Sequence, residues 1–192
     1  MDEKVILQKI RLGSREALGM LWQAHSSHVL NLAFRMLKDR DKAEDILMDI
    51  FVQVPKASQK FRGESALGTW LYKLTVNACL MSLRAHKRHR ELEGEHLDDI
   101  MESALGDYAE NTTSGIIQSS AKLLEEGLAK LNAETRSMLW LKDAEGLDVK
   151  DLVDIYKMPE GTIKARLSRA RHFIKDFIKE TDTETVKEPA YA

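Results

Sequence analysis

Apolar residues recur at three- and four-residue steps along most of the chain, the spacing of helices that bury one face. The first such stretch, Asp2 to Leu12, is predicted as a short amphipathic helix ended by Gly13, with Ser14 placed to cap the next one. Leu18, Leu21, Trp22, Val29, Leu32, Ala33, Met36 and Leu37 then keep a rhythm too regular for a strand. A third helix is predicted from Asp41, with Ala43, Ile46, Leu47, Ile50, Phe51 and Val54 inward and Asp45, Met48, Asp49 and Val52 outward. Pro55 should end or kink it just after Val54. Lys60 to Ala66 reads as a loop with a hinge at Gly63 and a candidate cap at Ser65. The helix that follows runs to about Arg90, with Leu67, Trp70 or Leu71, Leu74, Ala78, Met81 and Ala85 as its inner stripe.

The pattern then breaks. From Glu91 to about Gln118, Glu91, Glu93, Glu95, Asp98, Asp99, Glu102, Asp107 and Glu110 occur with no Lys or Arg among them, and glycines interrupt any long helix. This is the composition of a linker. It divides the chain into an amino-terminal domain (1–90), an acidic connection (91–118), a carboxy-terminal domain (119–180) and a polar tail (181–192). Helical spacing resumes over Ala121 to Leu131, and Asn132 is placed to cap a helix carrying Met138, Leu139 and Leu141. Asp148 caps a short helix to Ile155, and after a tight connection Pro159 opens a last one that reaches Ile178.

Composition agrees with an all-α fold: 10 glycines and 3 prolines in 192 residues leave few breakers. The net charge of -2 means that any affinity for nucleic acid rests on segregated cations. One cysteine, Cys79, allows no internal disulfide and no thiolate metal cluster. No apolar run approaches the roughly 20 residues of a membrane span, and the acidic start is unlike a signal peptide, so a cytoplasmic protein without membrane insertion is expected. No nucleophile–base pair, metal-ligand spacing or glycine-rich phosphate loop stands out, so neither catalysis nor a cofactor or metal is expected.

Charge is sorted most clearly in the last helix. Ile163, Leu167, Ala170, Ile174 and Ile178 make one face apolar, while Gly161, Thr162, Lys164, Ala165, Ser168, Arg169 and His172 lie outward. A short helix, a tight turn and a second helix with small and basic outward residues make a helix-turn-helix that can enter a DNA major groove. A second cationic tract, Arg84 to Arg90, ends the fourth helix, with Phe61, Trp70 and Tyr72 near it in sequence. Aromatics beside cations suit opened, single-stranded DNA. On the third helix, Met48 and Val52 beside Asp45 and Asp49 mix apolar and acidic groups, as a surface for a basic protein partner does.

Four blocks together resemble the extracytoplasmic-function sigma factors of bacterial RNA polymerase, over about Arg15 to Ile178. They are D-K-A-E-D-I (Asp41 to Ile46), F-R-G-E-S-A (Phe61 to Ala66) with T-W-L-Y (Thr69 to Tyr72), Asn77, and G-T-I-K-A-R-L-S-R-A-R (Gly161 to Arg171). The resemblance implies a promoter-specificity subunit with RNA polymerase core and promoter DNA as partners, and an anti-sigma factor as inhibitor. By that likeness Asp45, Met48 and Asp49 face the beta-prime subunit. Phe61, Arg62, Gly63, Glu64, Ser65 and Asn77 form a pocket for a base of the melted proximal element, and Lys73, Arg84, Lys87 and Arg88 hold phosphates. Lys164, Ala165, Ser168 and Arg169 read the distal element, the carboxy-terminal domain meets the beta-subunit flap, and the linker runs toward the catalytic channel. The chain departs from the family's usual residues at Met48 (Gln), Pro55 (Trp), Leu67 (an aromatic), Ser82 (Asp) and Lys157 (a turn Gly). The alternative is a dimeric helix-turn-helix regulator acting without polymerase core, which leaves the Phe61 to Asn77 pocket and the Arg84 to Arg90 tract without a role.

Overall fold

A computed structural model describes residues 3–92 and 115–185, and its regular elements are all helices. They are α1 (Glu3–Arg11), α2 (Arg15–Leu37), α3 (Arg40–Ser58), α4 (Leu67–Leu92), α5 (Gly115–Ala129), α6 (Ala133–Asp143), α7 (Val149–Tyr156) and α8 (Glu160–Thr185). Residues 93–114, most of the acidic connection, lie outside the described part, as does the tail beyond Thr185. The edges of both segments are nonetheless helical. Helix α5 starts at Gly115, six residues before Ala121, and α8 passes Glu180 to reach Thr185.

Side-chain caps from the residue just before the helix set the starts of four helices. The Ser14 hydroxyl accepts from the Ala17 N–H at 3.2 Å, after Gly13 has turned the chain at φ +85°. Asp39 caps α3 through the Lys42 N–H, so that helix begins at Arg40. Asn132 caps α6 through Thr135, and Asp148 and Asp151 cap α7 reciprocally as a capping box. Pro159 stands just before α8, and its carbonyl accepts from the Ile163 N–H at 3.1 Å.

Two expectations are corrected between α3 and α4. Pro55 does not end α3, which continues to Ser58. The Ser58 hydroxyl donates to the Pro55 carbonyl at 2.8 Å, and Arg11 of α1 donates from Nε to the Ser58 carbonyl at 2.9 Å, so the turn after the proline has its own partners. At the start of α4, the Leu67 N–H is taken by the Glu3 carboxylate at 3.0 Å and not by Ser65. The inner stripe of α4 also differs: Tyr72, Thr75, Val76 and Cys79 are buried, Met81 is 68 % exposed and Ala85 is exposed. The difference arises because α4 packs on α2 and α3 along one face and on α7 along another.

The halves share apolar packing. One cluster lies within α1–α4, where Leu21, Phe51, Leu67 and Leu71 meet and the Trp22 and Phe51 rings approach edge-on at 4.7 Å. The other joins Met36, Tyr72, Val76 and Cys79 to Met138, Leu141, Leu152, Ile155, Ile163 and Leu167. At its edge Arg136 of α6 is buried and donates from Nε to the Arg35 carbonyl at 2.6 Å and from Nη2 to Met36 at 3.3 Å, ending α2. Its Nη1 reaches the Leu131, Ala129 and Leu128 carbonyls at 2.9, 3.3 and 3.5 Å, ending α5. One guanidinium thus meets the carbonyls that two helix ends leave over.

Lys157, where the resemblance leads one to expect glycine, has φ +55° and ends α7 in the left-handed region. Its backbone N–H donates to the Val153 carbonyl at 2.9 Å. Its ammonium pairs with Asp154.

Arg136→Met leaves those buried carbonyls without their donor and is expected to cost at least about 2 kcal/mol of stability. Equilibrium urea unfolding of the full chain measures it.

Candidate nucleic-acid and polymerase interfaces

Helix α8 divides as its sequence period requires. Ile163, Leu167, Ala170 and Ile174 are buried, and Gly161, Thr162, Lys164, Ala165, Ser168, Arg169 and His172 are all exposed. The cations divide further. Arg166 pairs with Glu134 at 2.5 Å and Arg171 with Asp143 at 2.6 Å, tying both flanks of α8 to α6. Arg169 and His172 turn back onto their own helix, at the Ala165 and Ser168 carbonyls, and Lys164 pairs with Glu160 one turn away at 2.6 Å. Those local contacts leave the outward face of small and basic residues open to a duplex.

The second site lies between α3 and α4. Phe61, Arg62, Glu64 and Ser65 from the loop, with Trp70, Lys73 and Asn77 from α4, line a groove of about 460 Å³. Asn77 is exposed in it. Gly63, at φ +75°, gives the loop its bend, and the Phe61 ring lies 5.0 Å from that of Trp70. Trp70 itself is only 8 % exposed, so it serves as the floor on which Phe61 rests. Arg84, Lys87 and Arg88 are exposed further along α4.

The same groove has one wall from the other half of the chain. Asp154 of α7 lines it and accepts from the Lys73 ammonium at 2.8 and 3.0 Å. Hydrogen bonds from Lys157 and Lys73 hold the Asp154 carboxyl below its usual range. Its contribution is therefore complete above the ordinary carboxylate pKa and is lost as pH falls through the lowered one. Nearby, the Tyr72 hydroxyl donates to Glu145 at 2.5 Å and His28 meets the same carboxylate at 3.1 Å. Burial, then the Glu145 contact, raises the Tyr72 phenol pKa above its usual value. Sequence reading found the groove through Phe61 to Ser65 and Asn77 but not Asp154 or Glu145, whose acidity has no local pattern that marks them as interdomain partners.

On α3, Asp45, Met48, Asp49 and Val52 share an outward face, with Met48 56 % and Val52 74 % exposed. Two large exposed apolar side chains one turn apart, beside two carboxylates, have the makeup of a docking patch.

Known proteins agree with this layout. The model of Sigma-70 region 2 matches residues 21–89, which hold the α3 patch and the groove apart from its Asp154 wall, and that of Sigma-70, region 4 matches residues 121–174, which hold the helix-turn-helix. RNA polymerase sigma-H factor of Pseudomonas aeruginosa is 26 % identical over 178 residues, covering 90 % of this chain and 92 % of that protein. ECF RNA polymerase sigma-E factor of Haemophilus influenzae is 25 % identical over 183 residues, covering 93 % and 96 %. In fold, the chain is similar to the sigma factor RpoE of Bartonella quintana, solved with the anti-sigma factor NepR (TM-score 0.67, 23 % identity, 84 % of this chain and 96 % of that one). It is also similar to CnrH, solved with the cytosolic domain of CnrY (TM-score 0.63, 17 % identity, 93 % and 97 %).

Two sigma-70 regions in this order, one carrying the groove and one the helix-turn-helix, define a polymerase specificity subunit. The chain belongs to the extracytoplasmic-function sigma factors, and it acts to direct RNA polymerase to promoters. The dimeric regulator is not favoured. No described helix is long and apolar enough to cross a membrane.

Cys79, the single thiol, is fully buried, and burial pushes its pKa up to about 12. A disulfide reagent such as 5,5′-dithiobis(2-nitrobenzoate) is expected to label it promptly only after unfolding, because the thiolate is the reacting form. Prompt labelling of the native chain would contradict this placement.

Proposed function

We propose that the chain works through three surfaces. The Asp45, Met48, Asp49 and Val52 face of α3 binds polymerase core at the beta-prime subunit. The groove of Phe61, Arg62, Gly63, Glu64, Ser65 and Asn77 takes a base out of the proximal promoter element, with Lys73, Arg84, Lys87 and Arg88 on the phosphates. The α8 face of Gly161, Thr162, Lys164, Ala165, Ser168, Arg169 and His172 reads the distal element in the duplex, and its domain meets the beta subunit. A captured base offsets part of the cost of unpairing, so binding and melting are one event. The chain carries no reaction of its own and acts in the cytoplasm. An anti-sigma factor is its expected inhibitor, by analogy with RpoE, which was solved with one.

The observation that carries this reading is the pairing, in one chain, of an open groove centred on exposed Asn77 with an exposed basic recognition face on α8. A duplex-only regulator needs the second and has no use for the first. Lys73 contacts Asp154 in this structure, so phosphate and Asp154 compete for one ammonium.

Purified chain added to polymerase core, with a promoter library randomised in both elements, is expected to yield transcripts with defined start sites. Asp154→Asn should strengthen binding of the free chain to single-stranded DNA several-fold, with the larger gain at low salt. Arg169→Ala should weaken selection at the distal element by about 1–3 kcal/mol without altering binding to core. DNA binding without core-dependent transcripts would refute the reading.

A further inference from the structure

Helix α1 lies before residue 21, where the match to region 2 starts, and no role in promoter reading falls to it above. Its polar side chains nevertheless reach both ends of the groove's loop. At the entry, Arg11 donates from Nε to the Ser58 carbonyl at 2.9 Å and from Nη2 to the Phe61 carbonyl at 2.5 Å. The Arg11 carbonyl in turn accepts from the Gln59 side-chain amide at 3.2 Å. At the exit, the Glu3 carboxylate accepts from the Leu67 N–H at 3.0 Å, capping α4. Leu7 and Ile10, buried at 6 % and 2 % exposure, seat α1 on the core between these two contacts.

We infer that α1 positions the promoter-reading loop, with Arg11 and Glu3 as the residues that hold its two ends. The inference deepens the reading of the groove given above and rests on it. Between the clamps, the loop has a left-handed bend at Gly63, and Arg62, Gly63 and Glu64 are exposed. A segment so exposed has few contacts of its own, so its shape depends on its ends. Arg11 suits the entry because a planar fork reaches two carbonyls at once, and because a cation is favoured at the end of α3. Glu3 suits the exit because an anion is favoured at the start of α4. A base pocket built on a loop requires this support, since a site that drifts by an ångström loses its discrimination. Arg11 and Glu3 are positioning residues, and they act on the DNA only through the loop.

The test uses the full chain with Arg11→Met, Arg11→Lys and Glu3→Gln. Amide hydrogen exchange of the free proteins is followed over residues 58–67, beside thermal unfolding. Core-dependent transcription from the randomised promoter library then gives base preference in each element. Arg11→Met is expected to speed exchange in the loop about tenfold, the order of one lost charge-assisted contact, and to flatten preference in the proximal element. Preference in the distal element and affinity for core should stay as in the wild type. Arg11→Lys, which keeps the charge but loses the rigid planar fork, should fall between, and Glu3→Gln should speed exchange mainly at Leu67. If Arg11→Met unfolds, Arg11→Lys and Glu3→Gln decide the matter. Unchanged loop exchange in the folded variants overturns the clamp. Faster exchange with unchanged proximal preference overturns its part in promoter reading. Absence of start-site-specific transcripts from the wild type overturns the groove reading and the promoter role together, while exchange still decides whether α1 holds the loop.

Discussion

The arrangement of this molecule turns on a buried guanidinium. Arg136 meets carbonyls at the ends of α2 and α5 while standing on α6, so one charged group fixes three helices, two of them in the half that carries the helix-turn-helix. Burial lowers its pKa, with Arg35 acting in the same direction and Glu125 against it. An arginine tolerates this because its charge persists far above neutral pH, and because its planar fork can satisfy many acceptors in a site closed to water. Arg35 completes the junction by lying 3.6 Å over the Trp140 ring and pairing with Glu125.

From that junction follows the way the halves use each other's charges. Asp154 of one half occupies Lys73 of the other, and Glu145 occupies Tyr72 and His28. These polar contacts decide register more than strength. Lys73 and Asp154 are 28 % and 47 % exposed, and ion pairs so open to water contribute about 0–1 kcal/mol. Each fully buried aliphatic side chain in the shared cluster contributes about 1.5–3 kcal/mol. Val76, Met138, Leu152 and Ile155 are all at or below 1 % exposure, so apolar contact is the larger barrier to separation. The acids ensure that, while the halves remain together, the groove faces a carboxylate.

Much of this was legible in the chain, and the misses share one cause. The faces of α3 and α8 followed from helical period alone, since each has a single packed side and an outward set of polar or small residues. Asn77 and the loop from Phe61 to Ser65 were placed by resemblance, and the groove brings them together. The stripe of α4 was misjudged at Met81 because period identifies one buried face, whereas this helix buries two. The continuation of α3 past Pro55 and the cap on α4 were missed because their partners, Arg11 and Glu3, lie 47 and 64 residues away. Local sequence specifies what an element needs at its ends, but the group that meets the need is set by tertiary packing.

Asp154 shows how such a contact can be made reversible. It has two cationic partners: Lys73 across the interface and Lys157 three residues on in its own half. Were the halves to part, Lys157 would stay beside the carboxylate, so losing Lys73 would not strand an unpaired charge. Glu145 differs, because Tyr72 and His28 both belong to the other half, and its side chain, 13 % exposed here, would then rely on water. Water satisfies a carboxylate well, whereas it gains nothing from Val76, Leu152 or Ile155. Separating the halves would therefore be opposed mainly by the apolar surface it uncovers, and only secondarily by the loss of these polar contacts.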